Sequence, residues 1–215
     1  MGVTKRSIDT CPRPYSSVVR LAGSDRKRTK VLAVARTQLE SSGFRDFGME
    51  TIARQSGVTR QTIYNLFGSR AGLLEALFDQ LAIEGGMQRM RDIMQQTNPE
   101  SALASFVDVF CGFWAKDRLL LRRIHGIAAI DPEFGAALEA RNQRRKGAAA
   151  RILQILDPKG SEPAPEEQSE RAAALYALTS FEFFDVLAET IGASEAASVV
   201  RKLVTNAITK TPASL

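Results

Sequence analysis

The sequence has 215 residues, of which 44% are hydrophobic and 25% are charged, the balance of an ordinary globular protein. No apolar run approaches the roughly 18–20 residues that a membrane-spanning helix needs, and the N-terminus lacks the apolar stretch of a secretory signal. The two cysteines, Cys11 and Cys111, form no motif. A disulfide framework is therefore not expected, and a reducing cytoplasm is the predicted compartment.

The net charge of +5 is distributed unevenly along the chain. Residues 1–72 carry 13 basic and 5 acidic side chains, a net charge of +8, whereas residues 73–215 carry 16 basic and 19 acidic ones, a net charge of −3. A basic first third favours contact with a polyanion such as nucleic acid, although an ordinary basic surface would give the same count.

The first elements in chain order are a leader and a helix. Residues 1–24 predict a flexible leader, because Pro12, Pro14 and several serines leave no clear periodicity. From about residue 25, apolar residues three and four positions apart predict a helix that ends at Gly43: Val31, Leu32, Ala35 and Leu39. Four basic leader residues could add phosphate or minor-groove contacts: Lys5, Arg6, Arg13 and Arg20.

Helical patterns continue to the end of the chain. They predict helices at residues 49–56, 60–67, 70–95, 100–115, 117–128, 132–156, 166–190 and 194–209. The segment 157–165, which holds three prolines and a glycine, is a predicted loop. No stretch alternates in the manner of a strand, so the sequence predicts an all-α fold of about nine helices.

Residues 49–67 carry the pattern of a helix-turn-helix. Ile52 and Ala53 give the first short helix an inward face, Gly57 permits a sharp turn, and Thr59 is a good N-cap for the second helix. Two helices joined by a short turn that contains glycine form this motif. A pair of packed helices that contacts no DNA is the alternative.

The second helix of the motif has a polar face opposite an apolar one. Ile63, Leu66 and Phe67 share the face that should meet the core. Gln61 and Asn65 then point outward, and each can make a bidentate contact with the major-groove edge of adenine. The neighbouring polar residues could contact bases or phosphates. The candidate DNA-binding residues are Thr59, Arg60, Gln61, Thr62, Tyr64, Asn65 and Arg70.

The region from Gly43 to Leu74 resembles the DNA-binding domain of the TetR (tetracycline-repressor-like) family of bacterial regulators. The elements that carry the resemblance agree in residue type and in spacing: Gly43, Ile52-Ala53, Gly57-Val58-Thr59, Tyr64-Asn65-Leu66-Phe67, Ser69-Arg70 and Leu73-Leu74. The sequence departs from the family pattern at four positions. Gly48 stands where a Ser or Thr cap is usual, Gln61 replaces a small residue, Arg70 replaces Lys, and Gly72 stands where an acidic residue is common.

The resemblance implies a leader (1–24), a DNA-binding domain (25–72) and a domain for ligand binding and dimerisation (73–215). It implies a repressor that binds a palindromic operator as a homodimer and is released by a small hydrophobic or amphipathic effector. Apolar stripes on the last two predicted helices are the candidate dimer interface: Leu175, Leu178, Phe184, Val199, Val200, Leu203 and Val204. The candidate ligand pocket consists of aromatic residues that could equally be core: Phe106, Phe110, Phe113, Trp114 and Phe181.

Charged side chains in the second domain suggest two further sites, each with a more ordinary explanation. Glu182, Asp185 and Glu189 share a helix face and could attract a cationic ligand, although solvated carboxylates are common. Arg141, Arg144, Arg145 and Lys146 could meet an anion, but a solvated helix face is the expected explanation.

No cofactor, metal site or catalytic group is expected. The chain has one histidine, His125, and no cysteine cluster or Gly-rich phosphate loop. Two other classes remain open. One is a small-molecule-binding protein or enzyme whose helix-turn-helix is only structural, and the other is a DNA-binding regulator without an inducer.

Overall fold

A computed structural model describes residues 15–42, 47–157 and 165–209. Within these ranges the chain forms eleven α-helices and no strand, which confirms the predicted all-α class. The helices are α1 (Tyr15–Ser42), α2 (Met49–Ser56), α3 (Arg60–Phe67), α4 (Arg70–Glu84), α5 (Met90–Ile93), α6 (Pro99–Lys116), α7 (Arg118–Ala128), α8 (Pro132–Leu156), α9 (Pro165–Leu178), α10 (Phe181–Ile191) and α11 (Ala193–Thr209). A single 3-10 turn at Met87–Arg89 precedes α5.

The first three helices pack around a small core of their own. Val31, Ala35, Leu39, Ile52 and Ile63 are completely buried there. The side chains that the sequence predicts to face inward therefore do so. Helix α1 ends at Ser42, immediately before Gly43, and α2 ends at Gly57, whose φ of 67° lies in the left-handed region that favours glycine.

Helix α1 starts earlier than the sequence predicts. It begins at Tyr15 rather than near residue 25, so residues 15–24, expected in the leader, are helical. Between Pro14 and Ser42 the sequence holds no proline that would interrupt a helix. The basic residues Lys5, Arg6 and Arg13 lie outside the described residues, as does Cys11, and the side chain of Arg20 is not described.

The second group of helices, α4 to α11, encloses a larger core in which α6 is central. Helix α6 contacts α4, α5, α7, α8, α10 and α11, and it contributes nine buried residues, among them Phe106, Phe110, Phe113 and Trp114. Helix α8 runs along α4, α6, α7 and α9. No helix in the described ranges combines the length and apolarity needed to cross a membrane.

The predicted helix at 70–95 is wrong in its length, because α4 ends at Glu84. Gly86 takes a φ of 83°. A Cβ on Gly85 would lie 2.5 Å from Cδ2 of Phe113, so α6 crosses where the helix stops. Met87 and Met90 keep the apolar spacing beyond the break, which explains why periodicity alone predicts one helix.

The predicted helix at 166–190 is also wrong, because it is divided into α9 and α10 at Thr179 and Ser180. The backbone carbonyl of Thr179 accepts a hydrogen bond from Nε1 of Trp114 at 3.0 Å. Ser180 then caps α10, since its Oγ accepts from the backbone N–H of Phe183 at 3.1 Å. A contact from α6 thus sets this helix boundary.

Arginine side chains connect the two helix groups. Arg36 of α1 pairs with Glu84 at 2.9 Å and with Asp117, at the junction of α6 and α7. Arg123 of α7 donates to the backbone carbonyl of Leu39. Within the second group, Arg70 at the start of α4, the helix that follows α3, pairs with Asp131 at 3.0 Å. These contacts fix the position of the helix-turn-helix relative to the larger helix group.

Candidate DNA interface and ligand pocket

The inward face of α3 packs against α1. Ile63 is completely buried, while Leu66 and Phe67 are half-buried. The guanidinium of Arg28 donates to the carbonyl of Leu66 at 3.1 Å and lies 4.7 Å from the centroid of the Phe67 ring. The inward face of α3 is therefore anchored by apolar packing and by one cation that also satisfies a carbonyl at the helix end.

The N-terminus of α3 is capped as the sequence predicts. Oγ1 of Thr59 accepts a hydrogen bond from the backbone N–H of Thr62 at 3.1 Å, and the two hydroxyl groups lie 2.9 Å apart. Gly48, which occupies the cap position of α2, makes no side-chain cap. The α3 cap fixes the turn after Gly57 and so sets the direction in which α3 leaves it.

The outward face of α3 carries neutral hydrogen-bonding groups. Gln61, Tyr64 and Asn65 are exposed, and Nε2 of Gln61 donates to Oδ1 of Asn65 at 2.9 Å. The two amides therefore lie next to each other on one surface of the helix. Arg60, beside them at the helix start, is more than half exposed and lies 3.6 Å from Glu50 of α2.

Arg70 differs from the other predicted DNA-binding residues in its surroundings. It begins α4, forms an ion pair with Asp131, and lies 5.5 Å from the Phe47 ring centroid. Next to it, Oγ of Ser69 donates to Glu133 at 2.6 Å. A phosphate contact was the expectation for Arg70, whereas the structure gives this side chain a contact with the N-terminus of α8.

Gly72 has a steric reason to be glycine, one that the sequence does not reveal. A Cβ at this position would overlap the backbone carbonyl of Phe67, the last residue of α3. The turn between α3 and α4 folds back closely because Gly68 adopts a φ of 77°. An acidic side chain, common at this position in the family that the sequence resembles, would force the turn to shift.

Gly72→Ala should lower the free energy of unfolding by about 1–3 kcal/mol, the usual cost of an overpacked site. Chemical denaturation followed by circular dichroism would measure it. Gly147→Ala is the matched control, since a Cβ there meets nothing within 4 Å and alanine is the better helix former. Equal stability of the two variants would show that the Phe67–Gly68 turn relaxes at no cost.

A pocket of about 240 Å³ lies among α4, α6, α7 and α8. Three of the five predicted pocket residues line it, namely Phe110, Phe113 and Trp114. The other two do not line it. Phe106 is completely buried in the core, and Phe181 lies behind the pocket wall, 5.6 Å from the ring centroid of Trp114 and 4.5 Å from that of His125.

Most of the pocket lining comes from residues outside the predicted aromatic set, among them three of the four basic residues that the sequence suggested could meet an anion. The other lining residues are Phe78, Asp79, Ala82, Met87, Met90, His125, Leu138, Arg141, Asn142, Arg144, Arg145 and Ala148. Arg141 and Arg145, expected on a solvated face, are largely buried. One signal could have found Arg145, since it continues the apolar spacing of the buried residues Leu138, Ala149 and Ile152 along α8.

The carboxylates predicted to attract a cation do not line the pocket. Asp185 and Glu189 pair with Arg122 of α7, the former at 2.8 Å, and Glu182 is exposed, with its Oε1 3.8 Å from Nδ1 of His125. Arginines already neutralise two of the three carboxylates, so the structure gives a cation site at these residues no support. No group of three or more potential metal ligands occurs among the residues that the structure describes.

Burial lowers the pKa of His125, and this should make stability depend on pH. The folded state resists protonation more than the unfolded state does. Stability should thus be complete above the ordinary histidine pKa of about 6.5 and decline as the pH falls below it, by at most about 1.4 kcal/mol per pH unit. Denaturation of the wild type and of His125→Gln between pH 8 and pH 5.5 would check this.

Because His125 is the only histidine, the variant should lack this decline. The same slope in both proteins would assign the pH dependence to carboxylates and exclude His125.

Residues 31–77 match the family model of bacterial regulatory proteins, tetR family. Over 163 residues the chain is 24% identical to the HTH-type transcriptional regulator EthR of Mycolicibacterium smegmatis, an alignment that covers 75% of this chain and 74% of that protein.

Two solved structures share the fold. A TetR transcription regulator from Haloarcula marismortui superposes with a TM-score of 0.67 at 14% identity, over 85% of this chain and 96% of that one. NalD, the secondary repressor of the MexAB-OprM multidrug efflux pump in Pseudomonas aeruginosa, superposes with a TM-score of 0.64 at 20% identity, over 86% and 97%.

Proposed function

We propose that this chain, a DNA-binding transcriptional regulator whose N-terminal domain belongs to the tetR family, is a homodimeric repressor that a small molecule releases from a roughly palindromic operator. The exposed amide pair of Gln61 and Asn65 on α3 carries the proposal. The two exposed amides can each donate and accept hydrogen bonds. Base edges in the major groove of DNA offer the matching acceptors and donors. A protein with this target acts where the chromosome lies, in the cytoplasm.

In the proposed complex, α3 lies in the major groove. Gln61 and Asn65 contact base edges, and Thr62 and Arg60 reach neighbouring bases or phosphates. Tyr64, about one third exposed, contacts the backbone together with the positive N-terminal end of α4. Arg70 is better suited to hold α4 against α8 than to bind a phosphate, because Asp131 already accepts its guanidinium.

The dimer interface proposed here differs from the sequence prediction. Leu175, Phe184, Val200 and Val204 are at most 1% exposed, so they belong to the core of one protomer and cannot meet a second one. The neighbouring faces of α10 and α11, with Leu178 at the end of α9, offer exposed or half-buried apolar residues instead: Leu178, Val186, Leu187, Val199 and Leu203. Two such helix pairs would form a four-helix bundle across a two-fold axis.

Helix α4 both lines the pocket and directly follows α3, so it is the proposed route by which a ligand controls DNA binding. Helix α4 lines the pocket with Phe78, and its first residue, Arg70, pairs with Asp131 before α8. Farther along the same two helices, Arg141 of α8 pairs with Glu75 at 3.1 Å and Asp79 at 2.7 Å. A ligand that separates α4 from α8 would disturb both links and move α3. Release of DNA requires that the ligand bind this shifted state more tightly.

The pocket is also the observation that favours an inducible regulator over a DNA-binding protein without an inducer. A filled core at Phe110 and Trp114 would have favoured the latter. The proposal contains no catalytic step, and the other alternative, a helical enzyme with a structural helix-turn-helix, predicts no sequence-specific DNA binding.

Selection of bound sequences from random double-stranded DNA tests the proposal. A regulator should enrich a two-fold symmetric site, with half-sites about 10 base pairs apart or a multiple of that. The selected site should bind at least about 10³-fold more tightly than random DNA, with a steep salt dependence. Enrichment of no sequence would contradict the repressor function.

A further inference from the structure

The pocket has an unbalanced positive charge. Asp79 is the one carboxylate in its lining, and Arg141 pairs with it at 2.7 Å. Arg141 also pairs with Glu75 at 3.1 Å, so its charge is compensated. Arg144 and Arg145 add two more guanidinium groups to the lining, of which Arg144 is exposed and Arg145 is buried. Arg141 thus has two carboxylates, whereas Arg145 is a buried cation of the lining that no described carboxylate pairs with.

Arg145 is only 9% exposed. Its Nη1 donates to the backbone carbonyl of Tyr176 at 2.7 Å, and the guanidinium stacks on the Tyr176 ring at 3.8 Å. No ion pair is formed with it in the described part of the chain. A guanidinium has five N–H donors, and a buried cation without an anion is costly. The arrangement orients a fork of donors and gives the charge no ion pair, although the more distant carboxylate of Glu182 favours the charged form.

The rest of the pocket wall is aromatic and apolar. The ring of Trp114 lies 4.6 Å from that of Phe113 and 6.1 Å from that of Phe110, centroid to centroid. Arg145 lies at the edge of this group, 5.8 Å from the Phe110 centroid. His125 adds a buried Nδ1 that has no hydrogen-bond partner among the described residues. A volume of about 240 Å³ suits a compact ligand.

We infer that the effector is a compact aromatic carboxylic acid, whose carboxylate pairs with the guanidinium of Arg145 and whose ring packs against the aromatic wall that Phe110 and Trp114 form. The inference rests on the proposed function, in which this pocket is the effector site. A planar guanidinium binds a carboxylate through two parallel hydrogen bonds. A cationic ligand is excluded by the same charge. The acid supplies the ion pair that no described carboxylate gives to the buried guanidinium of Arg145.

Three probes with the same phenylbutyl body test the charge preference: phenylbutyrate, phenylbutanol and phenylbutylamine. Trp114 is the only tryptophan and lines the pocket, so its fluorescence reports binding at this site. Phenylbutyrate should bind the wild type at least about 10-fold more tightly than the alcohol, as a charge-assisted bidentate pair requires, and the amine should bind most weakly. Equal binding of the three, preference for the alcohol or amine, or no binding would overturn the inference.

Arg145→Met should retain the affinity for phenylbutanol and lose the preference for phenylbutyrate. Arg151→Met is the matched control, because Arg151 is exposed on the same helix, and it should keep the preference. If Arg145→Met does not fold, Arg145→Lys retains the charge without the fork, and it should bind the acid more weakly than the wild type but still more tightly than the amine. An undiminished preference in whichever variant folds would assign the acid to another cation and overturn the inference.

The two proposals fail separately. If phenylbutyrate binds through Arg145 but leaves the selected DNA bound, the pocket chemistry stands and control by this ligand class fails. If no DNA is selected at all, the fluorescence titration still decides the ligand class of the pocket.

Discussion

Replacing Gln61 and Asn65 together with alanine should weaken binding to the selected DNA by about 100-fold or more, since each bidentate contact to a base contributes about 1–3 kcal/mol. Both side chains are exposed, and their only described hydrogen bond joins them to each other. Alanine is the better helix former, so the variant should remain folded with unchanged thermal stability. The loss should appear in a titration of the selected site with the purified variant.

The salt dependence of binding distinguishes the loss of base contacts from the loss of the whole DNA interface. Gln61 and Asn65 are uncharged, so the log–log salt slope should stay that of the wild type. Affinity for random DNA should also stay the same. Gln154→Ala, which removes an exposed glutamine from α8, is the control and should bind like the wild type. An equal loss on selected and random DNA would show that the two amides do not read sequence.

Val186→Glu should convert the proposed dimer to a monomer and abolish binding to the two-fold symmetric site at concentrations where the wild type is saturated. Val186 is 68% exposed on α10, so the change costs little in an isolated protomer. In a two-fold interface the substitution occurs twice, and two carboxylates are desolvated next to each other. Sedimentation equilibrium would measure the change in mass.

Ile130→Glu is the matched control for this experiment. Ile130 is 64% exposed but lies between α7 and α8 and is not part of the proposed interface helices, so its variant should remain dimeric and bind DNA. If Val186→Glu also remains dimeric, the interface lies elsewhere, and the exposed stripe of α10 and α11 needs another explanation. Dissociation of both variants would indicate a general loss of stability.

Local features of the DNA-binding region could be predicted from the sequence because they depend on near neighbours. The left-handed glycine at Gly57, the cap at Thr59 and the burial of Ile63 each follow from conformational preference, hydrogen bonding or helical periodicity within a few residues. The exposed position of Gln61 and Asn65 follows from the same periodicity. Their contacts with DNA bases stay a prediction.

Helix boundaries in the second domain could not be predicted, because contacts from other helices set them. Periodicity continues through Gly85 and through Thr179, yet α6 crosses at the first position and Trp114 binds the carbonyl of the second. The surroundings of the Arg70 side chain could not be predicted for the same reason. Its partner Asp131 is 61 residues away along the chain, and no local pattern indicates that distance.

The sequence by itself determined the all-α class, the helix-turn-helix and its outward polar face, since these depend on short-range order along the chain. Only the tertiary structure decided which apolar stripes are core and which are free to meet a second protomer, because Phe184 and Val186 look alike in a sequence. It also decided that Arg145 is buried without a carboxylate. Burial depends on which helix lies opposite, and three-dimensional packing alone supplies that neighbour.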